Sequence, residues 1–266
     1  TRMYAGVREI LIIATPHDLG RFQELLGDGS QFGLSFEYEV QHAPRGIAES
    51  LIIGENFIGE DRLALILGDN IFYGHHLQKM LLDCNSHDKG AQVFGYEVHD
   101  PERYGVADFD NDGNVKAIIE KPKIPPSPYA ITGLYFYDNR SIEMAKKLKP
   151  SWRGELEITD ITQAYLEMGE CYVHLLDRGF AWLDTGTTLD MHKASVYVQT
   201  IQERQGICIA CLEEIAYELG LISQEKLFKH AEKAGESAYG DYLRGAAMRS
   251  KPEHALINGM LRGPIQ

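Results

Sequence analysis

From residue 9 to 98 the sequence alternates short apolar runs with stretches of helical spacing, and this alternation limits the possible folds more than any other feature. Residues 9–14 (EILIIA), 34–40, 63–68 and 92–98 read as strands. Residues 16–26, the segment through Ile47, Leu51 and Ile52, and residues 77–82 carry apolar positions at helical spacing. Such a pattern predicts an α/β fold, with a mixed, mainly parallel central sheet covered by helices. Residues 3–9 read as the end of a further helix, stopped at Gly6.

Beyond residue 100 the pattern changes. Residues 104–109 and 114–120 are strand-like and are joined by Asn111-Asp112-Gly113, a hairpin signal. A proline-rich loop at 121–128 leads into a strand at 129–137, so an antiparallel insertion is expected in the sheet. Residues 155–168 read as helix, 171–176 and 180–183 as strands, and 189–205 as a long helix. A short strand and helices are expected from Gly206 on. The expected division is a core at 1–206, a C-terminal helical, regulatory segment at 207–250 and a tail at 251–266.

Composition narrows the function classes. The net charge of −13 repels phosphate polymers and argues against a nucleic acid polymer as partner. No run approaches the roughly 20 apolar residues of a membrane span, so no membrane partner is expected. Four cysteines and no export pattern suggest a reduced, cytoplasmic setting. Cys208 and Cys211 form a C-x-x-C with no second pair nearby, which reads as buried small residues rather than a zinc site.

Two carboxylates stand where open α/β sheets bind ligands, beyond the carboxyl ends of strands. Asp69 follows LALILG, a run that reads as buried on both faces, and Asp184 follows an apolar-aromatic strand in FAWLDTGT. Either alone reads as a cap on the next turn or helix. As a matched pair they suit Mg²⁺, which takes one or two carboxylates and completes its octahedron with water and substrate phosphates.

These stretches, with PERYGV at 101–106, EKP at 120–122, RGELEITD at 153–160 and FQELLGDGSQFGL at 22–34, occur in an order that resembles the sugar-phosphate nucleotidyltransferases from residue 7 to about 217. The resemblance is to the branch that joins dTTP and glucose 1-phosphate, giving dTDP-glucose and pyrophosphate for dTDP-rhamnose and other deoxysugars. It implies Mg²⁺ on Asp69 and Asp184, and a homotetramer. It also implies a thymine-reading loop at Gln41 and Gly46. Sugar contacts fall at Tyr104, Gly105 and Glu120, phosphate contacts at Lys121 and Arg153, and a wall beneath the sugar at Ile131 and Tyr135. Without the resemblance these would read as turn, hairpin, solvated surface and core. A regulatory nucleotide site is implied near Tyr73, Gly74, Arg178 and Glu214, with Glu218 standing where relatives often carry arginine.

The family's G-x-G-T-R-x-x-P loop, which cradles the triphosphate, has no counterpart in the sequence: Thr1-Arg2 runs on into Met-Tyr-Ala-Gly. The expectation is therefore a fragment or degenerate paralogue with little or no turnover. The competing readings are a non-catalytic sugar-nucleotide-binding or oligomerisation subunit, and a nucleotidyltransferase of different base or sugar choice. A glycosyltransferase is disfavoured, because Asp69-Asn70-Ile71 is not D-x-D.

Overall fold

The structure is a computed structural model that describes residues 1–249; the 251–266 tail lies outside the described residues. In chain order the elements are β1 (Glu9–Ala14), α1 (Leu19–Leu26), β2 (Ser35–Val40), α2 (Glu49–Ile53), α3 (Glu55–Ile58), β3 (Leu63–Ile66), β4 (Asn70–Gly74), α4 (Leu77–Asn85) and β5 (Ala91–Glu97). There follow β6 (Gly105–Phe109), β7 (Val115–Glu120), β8 (Tyr129–Tyr137), α5 (Arg140–Lys147), α6 (Ile158–Glu167), β9 (Cys171–Leu175) and β10 (Phe180–Asp184). The chain continues through α7 (Thr188–Gln205), α8 (Leu212–Glu218), α9 (Gln224–Ala234) and α10 (Ala238–Met248).

The centre is a six-stranded sheet in the order β7-β6-β8-β5-β9, with β3 paired to β8 on the side opposite β5, beyond the short pairing with β6. β8 is the spine, and its sequence explains why. Its nine residues are mostly aromatic or apolar, and eight of them are buried; Gly133 admits the Asn70 and Leu67 side chains, which a Cβ there would meet at 2.6 and 2.7 Å. Its odd side chains, Ile131, Tyr135 and Tyr137, enter one core with Leu51, Val93, Ile161 and Tyr165. Its even ones, Ala130, Leu134 and Phe136, enter another with Leu81, Phe94 and Trp182. A strand covered on both faces needs no polar alternation. The mixed α/β class stands, but antiparallel pairing predominates. β8 runs against β3, β5 and β6, while β1–β2 and β5–β9 are the parallel pairs. The hairpin forms around Gly113 (φ 84°) and joins the sheet through Val106 and Ala130.

Local differences from expectation have physical reasons. No helix forms at residues 3–9: residues 2–6 are turns, closed by Ala5 N–H to the Thr1 carbonyl (3.2 Å) and Gly6 N–H to the Met3 carbonyl (3.1 Å), and Glu9 already belongs to β1. Residues 70–74, to which the spacing assigns no element, form β4, which pairs with β10 and so places Asn70 opposite Asp184. After Gly206 the described chain is helical; α8, α9 and α10 bury Ile215, Leu227 and Leu243 against Met3, Phe32 and Leu34. β3 is not buried on both faces: its four residues are all half-exposed. The cause is a cavity of about 450 Å³ between β1 and β3, lined by Ile10, Leu11, Ile13, Leu63 and Leu65. The Arg2 guanidinium reaches into it toward the Leu11 carbonyl (3.5 Å), and burial pulls its pKa down to about 10.

One polar hub pins α5 and α6 to the sheet. Asp138, 8% exposed, accepts from Gly90 N–H (2.7 Å), Tyr165 Oη (2.5 Å) and Arg140. Burial pushes the Asp138 carboxyl up, but these donors outweigh it and hold it below its ordinary value of 3.8. A carboxylate depressed in the folded state contributes stability above its unfolded pKa and loses it as pH falls through the folded one. Asp138→Asn should therefore cost about 2 kcal/mol near pH 7, where an amide turns N–H toward donors. The difference from the unaltered chain should shrink below pH 4 in urea titrations.

Candidate active site

Two polar clusters meet at Tyr104 and Gly105. In the first, Asp69 lies in the turn between β3 and β4, and Asp184 ends β10. The Asp69 carbonyl accepts from both the backbone N–H and the hydroxyl of Thr185 (2.9 Å each), tying the two strand ends together. Asn70 orients the Asp69 side chain: its Nδ2 donates to Asp69 Oδ1 (2.8 Å), while its Oδ1 accepts from Trp182 Nε1 (2.6 Å) and Gly133 N–H (3.0 Å). Asp184 Oδ1 accepts from Gly186 N–H (3.1 Å), and Oδ2 accepts from the Tyr104 hydroxyl (3.2 Å). Burial, and then the Asp184 charge, push the Tyr104 phenol far above its ordinary pKa, so it remains a donor.

Gly186 is the test of whether this pair fits a cation. A Cβ there would stand 3.2 Å from Asp184 Oδ1 and 3.7 Å from Asp69 Oδ2. Both carboxylates thus turn an oxygen toward one cradle that a side chain would fill. Two carboxylate oxygens beside open space suit a hard cation that completes its shell with water and phosphate.

The second cluster surrounds Glu120, at the end of β7. Glu120 Oε2 accepts from the Thr159 hydroxyl, and Oε1 lies 3.4 Å from an Arg153 guanidinium nitrogen and 4.0 Å from Lys121 Nζ. Burial pushes the Glu120 carboxyl above its ordinary range, Thr159 pulls it down, and the Glu157 charge adds to the rise. Arg153 also pairs with Glu155 (3.0 Å) and Glu157 (2.8 Å). These two acids precede α6 and hold an arginine, while Asp160 lies in its first turn. Gly105 faces the cluster, since a Cβ there would meet Thr159 Oγ1 at 3.1 Å and Glu120 Oε2 at 3.5 Å. Lys121 adopts φ 41°, uncommon for a non-glycine residue, while its N–H donates to the Tyr104 carbonyl (3.0 Å).

Adjacent residues therefore join the clusters: Tyr104 turns to Asp184 and Gly105 to Glu120. The loop at Gln41 borders the second. Gln41 Nε2 donates to the Gly46 carbonyl (3.2 Å) and to Glu49 (2.8 Å), and Gly46 lies against the Leu156 backbone.

The nucleotidyl transferase family model matches residues 1–201, which include both clusters. The chain belongs to this family. A glucose-1-phosphate thymidylyltransferase of Neisseria gonorrhoeae is 52% identical over 91% of this chain and 84% of its own length. One from Mycolicibacterium smegmatis is 48% identical over the same shares. A Bacillus anthracis chain assigned to the same enzyme and solved with sucrose superposes with TM-score 0.67 at 40% identity, over 74% of this chain and 78% of that one. A UDP-glucose pyrophosphorylase with bound UDP-glucose shares the fold, with TM-score 0.62 at 22% identity over 74% and 83%.

The remaining expected positions of this nucleotidyltransferase separate. Ile131 and Tyr135 are 7% and 5% exposed within the sheet core. Tyr135 still senses the site: burial and then the Glu120 charge raise its pKa. Tyr73 donates to Gln205 Oε1 (2.7 Å), and Gly74 pairs with Phe180, two residues after Arg178. Glu214 stands elsewhere, with Tyr242 (2.5 Å) and Arg249 among the C-terminal helices. Sequence reasoning missed Asn70, Arg103, Thr159, Trp182 and Gly186. Each lies within a few residues of a position it had named, and none carries a periodic or spacing signal of its own.

Proposed function

We propose that this chain transfers a thymidylyl group from dTTP to glucose 1-phosphate, giving dTDP-glucose and pyrophosphate, with Mg²⁺ held between Asp69 and Asp184. The observation that carries the reading is the meeting, at Tyr104–Gly105, of a cation-fitting carboxylate pair with a cluster suited to a sugar phosphate. The sugar phosphate is an anion at neutral pH, so no general base is required, and catalysis rests on positioning and charge neutralisation. Bound Mg²⁺ would neutralise charge on the triphosphate. Glu120 accepts from sugar hydroxyls, Lys121 and Arg153 meet the sugar's phosphate, and Gln41 presents an amide to the pyrimidine edge. Gly105 leaves room for the sugar to approach the main chain. Deoxysugar supply and a cytoplasmic setting belong to the same proposal, as does self-association. For the last, α7 buries Ala194 alone and exposes Leu189 and Val196, seven residues apart on one face, which a second copy would cover; sedimentation velocity tests it.

The test is calorimetric binding of dTTP to the 266-residue chain, with and without Mg²⁺. Metal-dependent affinity is expected, and binding indifferent to Mg²⁺ would remove the role given to the two aspartates. A pyrophosphorolysis assay on the same sample separates an active enzyme from a binding subunit. Among the described residues no helix is long and apolar enough to cross a membrane.

A further inference from the structure

We propose that Arg103 is a positioning residue, which locks the turn bearing Asp184 and Gly186 so that the Asp184 carboxylate faces Asp69; this rests on the reading of Asp69 and Asp184 as the cation-holding pair. Arg103 belongs to the connection between β5 and β6, whereas Asp184 and Gly186 lie at the end of β10 and in the link to α7. Its guanidinium spans that gap. One nitrogen donates to Asp100 Oδ2 in its own loop (2.9 Å), and another to Asp190 Oδ2 in the first turn of α7 (3.0 Å), 3.9 Å from Asp184 Oδ2.

The far side of the bridge is also fixed. Thr187 caps α7: its hydroxyl donates to Asp190 Oδ2 (2.8 Å) and accepts from Asp190 N–H (3.1 Å). The four residues from Asp184 to Thr187 are thus held at one end by β10 and at the other by Arg103 through Asp190. The Arg103 guanidinium also covers the Tyr104 ring at 5.4 Å, and that ring's hydroxyl holds Asp184 Oδ2. With Oδ2 restrained, Oδ1 is the oxygen left toward Gly186 and Asp69. Only a planar, forked donor reaches two carboxylates while stacking on a ring; lysine has one point of charge.

A positioning role and a simple charge effect predict opposite signs. Arg103 is a cation beside the carboxylates, so by Coulomb's law alone its removal should tighten binding of a divalent ion. If it positions Asp184, removal weakens binding, because outer groups that orient metal ligands typically change affinity about tenfold or more. The experiment titrates Mn²⁺ alone, followed by electron paramagnetic resonance, against the unaltered chain, Arg103→Gln and Arg103→Lys, with circular dichroism to confirm folding. The dissociation constant is expected to rise roughly tenfold in Arg103→Gln. Arg103→Lys keeps the charge and loses the fork, so it should show a smaller rise, whereas a charge effect predicts no change. Tighter or unaltered Mn²⁺ binding in folded Arg103→Gln overturns the proposal. If Gln does not fold, unaltered binding in folded Arg103→Lys overturns it. Asp184→Asn is the control: Mn²⁺ affinity indifferent to that change overturns the metal reading itself, a failure distinct from that of Arg103.

Discussion

Asp184→Asn is expected to abolish most of the Mg²⁺-dependent gain in dTTP affinity, and to lower kcat/KM for pyrophosphorolysis at least about a hundredfold, or about 2.7 kcal/mol of transition-state stabilisation. The substitution is nearly isosteric, and the fold should tolerate it. Tyr104 can still donate to, or accept from, the amide that replaces the carboxylate. The Asp69 carbonyl keeps both bonds from Thr185, so the two strand ends remain joined. What is lost is one of two negative charges facing the cradle beside Gly186. Phosphate oxygens and one remaining carboxylate then have to hold the cation, and Mg²⁺, reluctant to shed water, gains least from such a site. The binding arm needs no turnover. If dTTP affinity responded to Mg²⁺ in Asp184→Asn as it does in the unaltered chain, the assignment would be contradicted.

Gly46→Ala should destabilise the fold by at least about 3 kcal/mol, or roughly 6–12 °C in Tm for a chain of this size. Two independent penalties add. Gly46 has φ 102°, a region that side chains rarely occupy. A Cβ there would also stand 2.3 Å from the Leu156 carbonyl oxygen and 2.6 Å from its nitrogen. The obstacle is backbone, not the end of a flexible side chain, so it cannot swing aside. Relief requires the 41–46 loop to lift, and the loop is tied there by Leu156 N–H to the Arg45 carbonyl (2.7 Å) and Ala48 N–H to the Leu156 carbonyl (3.2 Å). Because Gln41 is bonded to the Gly46 carbonyl, dTTP affinity should fall along with stability. Thermal melts and dTTP titrations on the same variant check both effects. An unshifted Tm would mean that the close approach to Leu156 does not exist.

Much of the architecture is legible in the residues alone. β8 is delimited to its end residues, because the apolar, aromatic and β-branched side chains between Pro128 and Asp138, interrupted only by Gly133, read as one strand. The hairpin at Asn111-Asp112-Gly113 followed from turn chemistry that acts within four residues. β4 was not legible: NIFYG is five residues long, largely half-exposed and adjacent to a turn, and it is a strand because β10 pairs with it. The half-exposure of β3 was hidden for a related reason. An apolar run reports what a segment could bury, while the cavity between β1 and β3 depends on the distance between two strands.

The sequence by itself determined the α/β class, the extent of β8, and the appearance of two aspartates at strand ends, since each depends on neighbours within a few residues. Only the tertiary structure decided the direction of the strands around β8, and which charges meet. Tyr104 reaches Asp184 across 80 positions, Arg103 reaches Asp190 across 87, and Arg153 reaches Glu120 across 33. In the sequence these residues stand far apart, at strand ends, in a loop and at a helix start. They become a site because the start of β6 and the ends of β7 and β10 come together, β10 from a separate two-stranded pairing with β4, and contacts made across such pairings leave no trace in local periodicity.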